Sequence, residues 1–244
     1  MTNPVFKFGE QQAEREIVVD ARNVMTVNGT LQITAAMGLI LVAAAAFTWS
    51  KFSLGYTDFG SMLTGIGAIG GFILALIICF TRTKYLVPVY AGLEGLFIGG
   101  ISAIFEASYP GIVVQAVVGT FAALFSMLFL YRVRLIQCTD KFRSVIFIST
   151  LSIAGIYLVD FIGRFFGHSV PVINTASNLG ILSSIVVIII VALNLIIDFD
   201  FIEQGEKRML PKDYEWFGAF GLMVTIVWLY IEILKLLSKL ASRR

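Results

Sequence analysis

The chain has 244 residues, of which 58% are hydrophobic and 14% charged, with a mean hydropathy of +0.88 and a net charge of +2. Soluble domains carry roughly 25% charged residues, so a soluble monomer of this length would lack the polar side chains to cover its surface. A bilayer removes that difficulty: each spanning helix needs about 20 apolar residues, and several such helices leave no room for a separate catalytic domain. The small net charge is uninformative about nucleic acid, but there is no basic stripe interleaved with aromatics, and no nucleic-acid partner is expected.

Residues 1–24 form a polar segment of mixed charge, with Glu10, Glu14, Arg15 and Glu16, and carry no cleavable signal sequence. Residues 25–244 are read as a single transmembrane domain. Seven uncharged or nearly uncharged apolar runs predict helices near 31–49, 60–81, 86–105, 112–131, 144–163, 179–199 and 216–237. Irregular backbone cannot face lipid, so each run is expected to be helical throughout. Gly67 and Gly71 in the second run, and Gly95 and Gly99 in the third, sit four residues apart. That spacing lets membrane helices approach closely and is read as packing. Cys79 and Cys138 lie far apart in an apolar run and a polar connection, which argues against a disulfide framework.

Lysine and arginine placement sets the orientation. Lys7, Arg15, Arg22, Arg82, Lys84, Arg132, Arg134, Lys141, Arg143, Lys207, Arg208 and Lys212 fall on one side, and only Lys51 and Arg164 in the opposite connections. The N-terminus is therefore expected in the cytoplasm, and the membrane is the plasma (inner) membrane if the source is bacterial. Seven crossings put the C-terminus outside, yet the tail carries Lys235, Lys239, Arg243 and Arg244.

Ionisable residues inside spans are costly and point to function by default. Glu94 lies mid-run in the third span and Glu106 at its end. Asp160 lies deep in the fifth, with Arg164 one turn on, a spacing that favours a structural pair. Asp198 follows an almost unbroken apolar stretch, and Asp200 beside it is read as solvated at headgroup level. Glu232 and Lys235 lie in the seventh span, the lysine read as reaching toward the interface beside Lys239. His168, the single histidine, falls in a loop, which excludes haem held by paired histidines, histidine-rich metal sites and a serine-histidine protease. Lys235 is too near its helix end to suit retinal attachment. Enzymatic activity and a cofactor are therefore not expected, and no metal-ligand set is assigned.

A bundle with a few buried carboxylates and little buried positive charge suggests a proton-and-cation site. Two carboxylates close together in low dielectric share a proton, and losing it leaves oxygen ligands that suit a hard cation such as calcium.

Several segments resemble the bacterial branch of the Bax inhibitor family, also called the transmembrane Bax-inhibitor-motif family. They are Asp198-Phe199-Asp200-Phe201-Ile202-Glu203, Asp213-Tyr214-Glu215-Trp216 and Leu229-Tyr230-Ile231-Glu232-Ile233-Leu234, together with Glu94-Gly95-Leu96-Phe97-Ile98-Gly99 and Met25-Thr26-Val27-Asn28-Gly29. The resemblance implies an all-α seven-transmembrane-helix bundle with the last helix central, and a pH-sensitive calcium leak. It also implies an acidic pH-sensing pair, which by motif falls on Asp198 and Glu232, with Glu where the family usually has Asp. The family's second helix can supply an arginine that latches this pair. Residues 60–81 contain none, and Arg82 lies just beyond. Pairing would require Asp213 to Gly221 to be juxtamembrane, with insertion starting near Leu222.

The expected function is a pH-sensitive cation leak, channel or transporter gated by buried carboxylates, with Asp198, Glu232 and Glu94 on the ion pathway and Asp160, Arg164 and Asp200 as secondary candidates. The alternative is a non-transporting regulator that binds a membrane protease or another membrane protein. A proton-coupled transporter is a third option, but neither inverted repeats nor broken midplane helices are visible.

Overall fold

The structure is a computed structural model that describes residues 23–167, 170 and 175–243. His168 and the charged N-terminal residues through Arg22 lie outside the described residues. Seven helices are long and apolar enough to cross a membrane. They are α1 (Val27–Ser53), α2 (Thr57–Thr81), α3 (Val87–Ser108), α4 (Ile112–Arg132), α5 (Asp140–Phe165), α6 (Asn178–Lys207) and α7 (Tyr214–Ala241). Each of the seven apolar runs becomes one of these helices, and most extend past the run by a turn or more.

Local chemistry sets the ends. The hydroxyls of Thr26, Thr139 and Ser177 accept hydrogen bonds from the N–H groups of Gly29, Phe142 and Gly180, capping α1, α5 and α6. Pro88 falls in the first turn of α3, where its missing N–H has no intrahelical partner to lose. Glu106 reaches past the end of α3 and accepts from the N–H of Gly111 (2.6 Å) and Val113 (3.1 Å), closing the turn into α4. The helices run alternately up and down. One face of the bundle gathers the starts of α1, α3, α5 and α7 and the ends of α2, α4 and α6; we call it the N-face.

In lipid the apolar effect between helices is weak, and close packing decides which faces meet. A Cβ on Gly95 would lie 2.3 Å from the Leu41 carbonyl, one on Gly99 2.2 Å from that of Ala45, and one on Gly67 2.5 Å from that of Leu93. These glycines therefore let the backbones of α1 and α2 touch α3. The last helix is central, as the family resemblance implies. Phe220, Met223, Val227, Tyr230 and Leu234 pack with residues of α3 and α4 on one side. Leu222 and Leu229 pack with Leu195, Ile196 and Tyr131 on the other. The exposed apolar side chains, such as Leu39, Phe72, Val114 and Phe147, lie on the outer helices.

The first and last helices are tied at the N-face. Glu215 is buried and its Oε1 accepts from both the N–H and the hydroxyl of Thr26, each at 2.9 Å. Glu206 accepts from the N–H of Val27 at 3.1 Å. Two carboxylates thus cap the α1 N-terminus, where the helix dipole favours negative charge. Backbone bonds from Met25 to Leu210 and from Lys212 to Asn23 complete the clasp.

Candidate functional site

Asp198 lies on α6 nine residues before its end at Lys207, about 14 Å from the N-face at ~1.5 Å per residue. Its side chain faces α7, where a Cβ on Gly221 would lie 3.7 Å from Oδ1 and where Thr225 is a neighbour. The Thr225 hydroxyl donates to the Gly221 carbonyl at 3.2 Å, and it has one proton to give. Asp198 Oδ2 is left buried without a partner, the one such side-chain oxygen or nitrogen found among the described residues. An unsatisfied buried acceptor costs about 1–3 kcal/mol, more when charged.

Glu232 has the opposite surroundings. Its side chain is buried, the Tyr157 hydroxyl donates to Oε2 at 2.9 Å, and the Lys235 ammonium donates to Oε1 at 3.0 Å. Lys235 also lies 4.7 Å above the centre of the Tyr157 ring. Lys235 therefore folds back onto the acid one turn away.

The structure does not bring Asp198 and Glu232 together. Helix α7 is continuous from Tyr214, and Gly218, Ala219 and Phe220 are already packed inside the bundle before Leu222. Thr225, opposite Asp198, precedes Glu232 by seven residues, about 10 Å along the axis at ~1.5 Å per residue. Glu232 lies nine residues before Ala241 and belongs to the half of the bundle opposite the N-face. Arg82 does not latch either acid. It donates to the Tyr214 hydroxyl at 2.9 Å and sits over the Tyr214 and Phe217 rings, at the start of α7.

The other acids separate by face and depth. Glu94 packs against Gly71, where a Cβ would lie 2.8 Å from its Oε2, on the α2–α3 side and away from Asp198. Asp160 accepts from Arg164 at 2.9 Å, the i, i+4 pair its spacing predicts, and from the N–H of Val170 at 2.7 Å. Asp200, two residues from Asp198, points from another face of α6, since i, i+2 residues do not share one. It is not solvated: only 5% of it is exposed, and it pairs with Arg143 and accepts from the Tyr131 hydroxyl at 3.2 Å. Sequence could not show this, because both partners come from distant segments. Tyr131 also donates to Glu203, which pairs with Arg134 and Lys207. The Glu203 carboxylate holds the Arg134 guanidinium above its ordinary range. Arg143 donates to the Cys138 thiol at 3.3 Å. Cys138 is a free cysteine in the connection before α5, and burial pushes its thiol up.

Sequence reasoning did not single out Thr225, Tyr157 or Glu215 as site residues. Tyr157 carried one signal, its position one turn before Asp160 on the same helix. Thr225 carried none, and Glu215 appeared only inside a motif. Among the described residues no three His, Cys, Asp or Glu side chains converge on a point that could hold a metal ion.

No curated protein and no solved structure matches the chain. The family model described as Bax inhibitor 1 like matches residues 3–242. With that match over essentially its whole length and seven apolar spanning helices, the chain is a multi-pass membrane protein that belongs to the Bax inhibitor 1-like family.

Proposed function

We propose that the chain is a pH-sensitive cation leak, with calcium as the cation, in which protons and cations compete for Asp198. The observation that supports this reading is the buried Asp198 oxygen with no partner, facing a hydroxyl and a carbonyl-bearing glycine turn of the central helix. A proton, a water or a hard cation would each satisfy that oxygen, and oxygen donors suit calcium. One carboxylate with a hydroxyl beside it is a weak site, and conduction requires binding loose enough to release the ion. No covalent chemistry enters this reading. The N-terminus is placed in the cytoplasm by its side's excess of basic residues, so Asp198 lies in the cytoplasmic half and Glu232 in the other. Glu232, already bonded to Tyr157 and Lys235, is read as structural.

Calcium flux into proteoliposomes, measured across pH for wild type and Asp198→Asn, tests the proposal. We expect flux in wild type that changes with pH, and flux in Asp198→Asn that is lost or indifferent to pH. The same pH response in both proteins would overturn the role of Asp198. No flux above empty liposomes from folded wild type would overturn the leak.

A further inference from the structure

A cavity of about 400 Å³ lies between α5, α6 and α7, in the half of the bundle away from the N-face. Ile153, Ile156 and Val187 wall it, and Glu232, Lys235 and Lys239 stand at one end. Its size falls within the ~300–1,000 Å³ of small-molecule sites. Ile156 lines it and is also exposed on the outer surface of α5, so the cavity is open on the α5 side.

The charges at the closed end do not balance. Glu232 is matched by Lys235 at 3.0 Å. Lys239 donates to the Gly180 carbonyl at 2.9 Å and the Ser184 hydroxyl at 2.7 Å, both neutral, and has no acidic partner among the described residues. One uncompensated positive charge therefore faces an apolar cavity. The N-terminus of α6 at Asn178 lies at the same end and its dipole offsets that of the α7 C-terminus, in whose last turn Lys239 sits. Arg243 adds a further cation at the rim, donating to the Ala176 carbonyl.

We propose that this cavity binds an anionic phospholipid of the surrounding bilayer, with one acyl chain inside and the phosphate held by Lys239. The chain satisfies the apolar walls, the phosphate balances the unmatched ammonium, and the sideways opening admits a lipid directly from the membrane. This gives the basic tail a role that membrane orientation alone does not. Lys235 and Lys239 turn inward, one to neutralise Glu232 and one to receive a head group. The proposal is independent of any ion flux and uses no part of the Asp198 site.

The test is native mass spectrometry of the full-length protein titrated with phosphatidylglycerol or phosphatidylcholine. We expect wild type to retain one phosphatidylglycerol per chain, in preference to phosphatidylcholine. Lys239→Gln is expected to weaken that binding at least tenfold, with Lys239→Arg restoring most of it. Ile156→Trp, which fills the cavity from its open side with every lysine intact, is expected to weaken it too and decides the matter if Lys239→Gln does not fold. Lys141→Gln, at the N-face, is expected to leave binding unchanged. Equal retention of the two lipids, indifference to both Lys239→Gln and Ile156→Trp, or a free fatty acid retained in place of the phospholipid would each overturn the assignment.

Discussion

Two inward-facing acids, Asp198 on α6 and Glu232 on α7, share a chemistry and almost nothing else. Glu232 sits where α5 and α7 supply a phenol and an ammonium, so both oxygens are bonded. Asp198 sits where α7 supplies a glycine and a threonine, and one oxygen is left over. A satisfied buried acid ties its helices together, because removing it leaves its partners unpaired. An unsatisfied one is a standing cost that a mobile ligand relieves. Burial alone therefore does not mark a functional acid; the count of its partners does.

Substitutions sharpen this contrast, most strongly at Glu232. Glu232→Ala leaves Tyr157 and Lys235 facing an empty space. Because Lys235 is partly exposed, the loss is expected at the lower end of the range for broken buried pairs, about 3 kcal/mol, read as an earlier midpoint in an SDS unfolding titration. Tyr157→Phe removes one hydrogen bond from the same acid and is expected to cost about 1 kcal/mol in that titration. Asp198→Asn is expected to go the other way, neutral or up to about 1 kcal/mol more stable, since it removes a carboxylate whose inner oxygen has no partner. A destabilisation as large as that of Glu232→Ala would erase the distinction between the two sites. Thr225→Val is expected to have the smallest effect on stability, below about 1 kcal/mol, while altering the pH response of any flux. An unchanged pH response would remove Thr225 from the site.

Membrane chemistry writes some of this plainly into the sequence. Seven apolar runs must become helices because backbone polar groups have no other partner in lipid, and the structure contains all seven. Asp198 and Glu232 stood out for the same reason, as charges in apolar runs. The i, i+4 pair of Asp160 and Arg164 was legible because both residues lie on one helix. Register between helices was not legible. The depth at which Glu232 falls depends on where α7 enters the bundle, and Gly218 and Gly221 left two entry points open until packing placed Gly218 in the interior. Asp200 was misjudged because its burial depends on Arg143 and Tyr131, 57 and 69 residues away. The inward turn of Lys239 was hidden for a similar reason: its partners Gly180 and Ser184 belong to another helix.

The clasp of Glu215 on Thr26 also bears on how the bundle is made. The two residues are 189 positions apart, so a ribosome delivers the start of α1 long before the acid that caps it. Until α7 arrives, the N–H and hydroxyl of Thr26 have only water or headgroups to bond. A chain cut short before Glu215 keeps six apolar helices and the bond from Val27 to Glu206, but loses the axis they surround and the Glu215 cap on the first.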